Sequence, residues 1–196
     1  MAKTKTDDRA LIDIGAGIGA GTGAVREGYV EIHSVSPMLV HSAGGVDAAH
    51  PLSGLIREIT KKGKKKTAAD IEKLKRLEWE RALYWDKERG PYVPAEWLEG
   101  TIRDAARTER QGKTSTAGVF LTEMRVRLDY VGPRDLDGLY AAGFIDYRAV
   151  NVQRARVMRA RGFFPSWSCA FTLRYDDGLM SFVDLRRYLA IAGNRM

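Results

Sequence analysis

YRAVNVQRARVMRARG, Tyr147 to Gly162, is extended in character, loaded with arginine and free of acid. Arg154 and Arg156 lie two apart, so on a β-strand they share a face, and Arg159 and Arg161 share a face of the opposite parity. One extra residue near Val157–Met158, a β-bulge, is expected to bring all four onto one side. A row of guanidiniums on a strand suits a phosphate backbone, because each planar fork takes two phosphate oxygens. The competing reading is a solvated sheet face with cross-strand ion pairs. The nearest acids are Asp146 before the stretch and Asp176 well after it, so the local charge is unbalanced.

The whole chain leans the same way. Its 196 residues carry a formal net charge of +7, with a pI near 9.6. That balance favours an anionic partner, nucleic acid ahead of a membrane surface. A hydrophobic content of 44% is enough for a real core. The single cysteine, Cys169, excludes an intramolecular disulfide and a cysteine-cluster zinc site. It fits a reducing interior, and a cytoplasmic location is expected. The polar N-terminus lacks the apolar run of a signal peptide, and no stretch approaches the ~18 apolar residues of a membrane span. With three histidines at no ligand-like spacing, no metal and no cofactor are expected.

Residues 1–28 read as a flexible arm. Gly15, Gly17 and Ala20 match a weak G-x-G-x-x-A fingerprint, but a pyrophosphate site needs a helix after the glycines and further glycines interrupt here. Tyr29 to His41 is a strand candidate with a bend at Pro37. His41 and His50 flank the following loop, where packing is the plainer role. Residues 51–91 read as a basic helical insertion. It holds a short amphipathic piece (Pro51 to Thr60), then KKGKKK, and then a helix opened by Thr67 and Asp70 as a capping box. Lys61, Lys62, Lys64, Lys65 and Lys66 form a self-repelling run that reads as an electrostatic arm or a plain solvated loop.

Pro94 opens the next helix, in which Leu98, Ile102, Ala105 and Ala106 form a buried stripe and Arg103, Arg107 and Arg110 line another side. Gly100 in mid-helix suggests close approach of another backbone. Gln111 to Gly118 reads as a polar loop. Phe120 to Val131 alternates as a half-buried strand with Met124, Val126, Leu128 and Tyr130 on one face. A short helical piece is expected at Leu136 to Ala142. Cys169, Phe171, Leu173 and Tyr175 alternate as another strand, and a last helix is expected from Leu179 to Ala192 before Gly193.

The order strand, helix, strand, strand, helix resembles a ferredoxin-like or RNA-recognition-motif domain carrying an insertion, an α+β fold with an antiparallel sheet over residues 29–196. Three stretches carry a narrower resemblance. EIHSVSPMLVHSAGG (Glu31 to Gly45) resembles the first strand of the RAMP superfamily. YVPAEWLEGTIRDAAR (Tyr92 to Arg107) resembles its first-helix signature at Val93, Pro94, Leu98, Gly100, Ile102 and Arg103. VNVQRARVMRARGFFPSWSCAFTL is similar to its central hairpin. The resemblance implies a nucleic-acid-binding core whose copies stack along a strand, as the backbone subunits of CRISPR effectors do, or a relative from a phage or mobile element. It would place Arg103 and the Lys61–Lys66 loop in the nucleic-acid groove. The superfamily's fourth strand is not evident after the last helix; Ala10–Ile14 or a neighbouring copy would supply it, or it is absent. Nothing resembles the histidine-based cleavage site of its RNA-processing members.

These features converge on a non-catalytic protein that coats or assembles on single-stranded RNA or DNA, as a homo-oligomer, a filament or a subunit of a larger complex. Arg154, Arg156, Arg159, Arg161, Arg103, Arg107 and the lysine run would take phosphates. Phe163, Phe164 and Trp167 would stack on bases or plug a hydrophobic contact. The alternatives are a structural subunit of a phage or other particle, and a metal-independent nuclease using His33, His41 or Tyr147.

Overall fold

A computed structural model describes residues 24–152 and 154–193. The fold is mixed α+β, with antiparallel pairing among the described strands. The chain divides into two compact units: one holds residues up to Ser36, Tyr92–Asp129 and Ser166 onward, the other Pro37–Pro91 and Tyr130–Pro165. Residues 51–91 therefore belong to the second unit together with 37–50 and 130–165.

The first unit is built on β1 (Val25–His33), so Val25 to Gly28 of the expected arm are strand; the glycine fingerprint and Ala10–Ile14 lie outside the described residues. The second unit opens with β2 (Met38–Val40), then α1 (Pro51–Lys61), α2 (Ala68–Ala82) and β3 (Trp85–Asp86). β4 (Gly90–Pro94) passes from the second unit into the first, where α3 (Ala95–Arg107), α4 (Gly112–Gly118), β5 (Val119–Leu121) and β6 (Arg125–Arg127) follow. The second unit resumes with α5 (Leu136–Ala141) and the hairpin β7 (Ile145–Val152) and β8 (Ala155–Phe164). The first unit closes with β9 (Ser168–Asp176) and α6 (Phe182–Gly193).

In the first unit β9 lies between β1 and β5, antiparallel to both. The alternation of β9 buries Cys169, Phe171, Leu173 and Tyr175. α3 buries Leu98, Ile102, Ala105 and Ala106 as its spacing predicts and packs on α4 and α6. Burial pushes the Cys169 thiol up to about 12, with Asp129 adding to it, so the thiol is an inert core group. Three local expectations are corrected. Apart from the backbone of its own helix, Gly100 has one near neighbour among the described residues, the guanidinium of Arg103 on the same helix, 3.5 Å from where a Cβ would sit; no backbone of another element approaches there. Gln111 to Gly118 holds a helix, with Gly112 and Ser115 buried. The strand predicted over Phe120 to Val131 is broken, because β5 pairs with β9 while β6 pairs with β4; Met124 falls in the break and is 79% exposed.

In the second unit β8 is central, between β2 and β7. The predicted capping box forms: the Thr67 hydroxyl accepts from Asp70 N and the Asp70 carboxylate accepts from Thr67 N. Trp79 is fully buried, and its indole Nε1 donates to the Phe144 carbonyl at 2.8 Å. Tyr130, Phe144 and Phe164 form an aromatic cluster with ring centroids 5.1–5.6 Å apart. Ile56, Ile59 and Leu77 join α1 to α2 in a smaller apolar cluster.

Candidate nucleic-acid interface

The β7–β8 pairing is regular from Ile145↔Gly162 to Val152↔Ala155, with no bulge at Val157–Met158. The four arginines therefore do not share a face. Arg159 and Arg161 stand on the side of Asp146, Arg148, Val150 and Val157. Arg156 stands on the other side, with Tyr147, Asn151 and Met158. Arg154 is not in a strand at all. It sits between β7 and β8 with φ 68°, a left-handed conformation that a residue with a Cβ adopts rarely. A continuous eight-pair register leaves no place for an extra residue, because each partner on β7 is already matched.

The ribbon is a mostly exposed surface towards its tip: Asn151, Val152, Arg154, Ala155, Arg156 and Met158 are all exposed or nearly so. Between Ile145 and Phe164 the sequence holds five arginines and one aspartate. Both local acids are partly engaged. Asp146 Oδ1 accepts from Arg148 at 2.6 Å, and Glu78 of α2 accepts from Arg159 Nη1 at 2.7 Å. Arg161 lies directly opposite Asp146, yet its Nε is buried with no hydrogen-bond partner among the described residues, and so is Asp146 Oδ2.

Arg159 and Arg161 face a cavity of about 550 Å³, which is also lined by His41, Glu78, Arg81 and the Ser42–Val46 loop. Ser42 fixes that loop to α2: its hydroxyl donates to the Arg81 carbonyl at 2.7 Å and accepts from Gly44 N. Burial lowers the pKa of His41, and the Arg161, Arg159 and Arg81 charges lower it further, against a smaller opposing effect of Glu78. His41 is therefore neutral at pH 7. The sequence does not single out His41 or Arg81 as a phosphate contact. No local pattern announces them, since they come from a strand end and a helix end far from the hairpin in sequence.

The other expected residues are placed as follows. Lys61 ends α1, and Lys64 and Lys65 lie in a short 3-10 turn at Gly63–Lys65. The lysine run is thus a helical connection and not a free arm. Lys62 Nζ is held 2.6 Å from Asp70 Oδ1, which together with the Thr67 amide pulls the Asp70 pKa down to about 2. Lys66 precedes the α2 cap. Arg103 and Arg107 are in the first unit, on α3, where both contact Asp104, at 3.3 and 2.8 Å. Phe164 is fully buried in the aromatic cluster and has no face to offer a base; this corrects its expected stacking role. Phe163 is half-buried opposite Leu39. Trp167 is half-buried, and its indole donates to the Ser36 carbonyl at 3.2 Å.

His33 lies 3.0 Å from the Glu31 carboxylate on the exposed end of β1. Tyr147 packs under Lys75, and its pKa is raised by burial and then by Glu78 and Glu72. Among the described residues no group of three or more His, Cys, Asp and Glu side chains is placed to hold a metal ion. No helix among them is long and apolar enough to cross a membrane. No family model matches the chain, nor does any curated protein or solved structure match it.

Proposed function

We propose that the chain is a non-catalytic nucleic-acid-binding protein that holds a single strand, RNA or DNA, along the arginine-bearing β7–β8 ribbon. The observation that carries this reading is Arg154 at φ 68° on the exposed turn. Left-handed backbone positions favour glycine or asparagine, and a side chain with a Cβ there costs about 1 kcal/mol. A long cationic side chain at that position is favoured by what it meets and not by the turn. Arg156 beside it is exposed as well. Guanidiniums displayed on a narrow ribbon suit phosphate contacts, which position a strand without reading its sequence.

The topology of the first unit supports the same reading. β1 and β5 run parallel with β9 between them; α3 and α4 precede β5, and α6 follows β9. This order is compatible with the split β-α-β plan of a ferredoxin-like or RNA-recognition-motif core, without a fourth strand among the described residues. On this reading copies of the chain assemble along the bound strand, as the RAMP resemblance implies.

The test is the size and absorbance ratio of the purified full chain before and after nuclease at high salt. A large species carrying nucleic acid that collapses to a small one supports the proposal. A clean monomer that retains no oligonucleotide at low salt overturns it. An assembly that survives nuclease and salt assigns the basic surface to subunit contacts in a particle.

A further inference from the structure

We infer that the cavity at the base of the ribbon is a site for a terminal phosphate monoester, the phosphorylated end of a strand or a free nucleoside monophosphate. The inference rests on the nucleic-acid reading above and narrows it to a chain end.

The charge of the wall selects the group. Arg81, Arg159 and Arg161 bring three positive charges to the cavity and Glu78 brings one negative charge, which leaves two in excess. An internal phosphodiester carries one negative charge, whereas a phosphate monoester carries about 1.5 to 2 near pH 7. The monoester is the nucleic-acid group that matches the excess. Donors remain as well. Arg159 already gives Nη1 to Glu78 and Arg81 gives Nη1 to the Ser53 hydroxyl at 3.3 Å, so the remaining nitrogens of these two forks and the Arg161 guanidinium are the donors that a phosphate at this wall would meet.

Size and lining make room for more than the phosphate. About 550 Å³ is in the range of small-ligand sites and far exceeds one phosphate. Val46, Ala82, Val150 and Val152 give the remaining wall an apolar character that suits a sugar or base edge. His41 stands at the same wall and can add a donor when the anion offsets the arginine repulsion. The site is assembled from the end of β2, the end of α2 and the ribbon, so it exists only when the second unit is folded.

The experiment uses the full chain, stripped of nucleic acid. Binding is measured by anisotropy for one oligonucleotide sequence bearing a 5′-phosphate, a 3′-phosphate or hydroxyls at both ends. Calorimetry with adenosine 5′-monophosphate, adenosine and inorganic phosphate runs alongside. The expected result is at least tenfold tighter binding of one phosphorylated form, with adenosine 5′-monophosphate binding and adenosine not. R81Q, and independently H41Q in case the first variant fails to fold, should lower the preference while the hydroxyl-ended strand still binds. Equal affinity for all three ends, with no heat from adenosine 5′-monophosphate, overturns the inference and leaves the ribbon reading standing. Binding of the monophosphate without any strand binding does the reverse.

Discussion

Arg159 of β8 donates through Nη1 to Glu78 of α2 at 2.7 Å, and the two are 81 residues apart in the chain. The Glu78 side chain is only 9% exposed, whereas that of Arg159 is 40% exposed. The pair ties the ribbon to the helix and partly neutralises the cavity wall. Glu78→Gln keeps the shape and removes the charge. Half-exposure of the arginine discounts the cost of a fully buried broken pair, so a destabilisation of about 1–2 kcal/mol is expected in denaturant unfolding. The same variant should bind oligonucleotide more tightly at low salt, because the excess positive charge rises by one. Weaker binding by a folded Glu78→Gln protein would count against phosphate contacts at this wall.

His41 makes stability pH-dependent. Its folded-state pKa is depressed by burial and by Arg161, Arg159 and Arg81, against Glu78. The unfolded chain therefore takes up its proton first as pH falls below about 6.5. The stability linked to this group is present above that value and is lost as pH falls through it towards the lower folded value. Thermal unfolding between about pH 7.5 and 5.5 should show a decline in the wild type that is shallower in His41→Gln. Parallel curves for the two proteins would mean that the arginines do not act on this imidazole.

Arg154 separates binding from folding. Arg154→Gly relieves the left-handed backbone, so stability should stay level or rise by about 0.5 kcal/mol. Combined with Arg156→Ala, it should weaken binding to all sequences alike. Each phosphate that is no longer neutralised should lower the slope of log affinity against log salt by about 0.7 for a single strand. A double variant with unchanged affinity and slope removes the ribbon from the interface.

Trp79 anchors the second unit. It is fully buried, its indole nitrogen donates to the Phe144 carbonyl at 2.8 Å, and its ring meets Tyr140 edge-on at 5.2 Å. Trp79→Phe shrinks the ring and removes one of the two donors to that carbonyl, which keeps the Phe163 amide at 3.2 Å. Chemical denaturation should show a destabilisation of about 2–4 kcal/mol.

Much of the architecture is legible in the sequence because periodicity is local. The alternation of Cys169, Phe171, Leu173 and Tyr175 marks β9, Thr67 and Asp70 mark the start of α2, and Leu98, Ile102, Ala105 and Ala106 mark the buried side of α3. The candidate site is less legible. The arginines of 147–162 announce a basic strand, but their faces depend on register, and a turn at Arg154 with no bulge divides them. Phe164 looks like its neighbour Phe163 in sequence, yet Phe164 is the one enclosed by Tyr130 and Phe144. The break after Leu121 is equally silent, because it arises from a change of pairing partner from β9 to β4.

By itself the sequence determined the strand and helix periods, the caps and the concentration of positive charge in one hairpin, since each depends on residues within a few positions of one another. Only the tertiary structure decided which arginines share a face, which aromatic is buried, and that His41, Glu78 and Arg81 meet Arg159 and Arg161 around one cavity. Those outcomes bring the hairpin against residues about 80 to 120 positions away in the chain, whose identity no local pattern specifies.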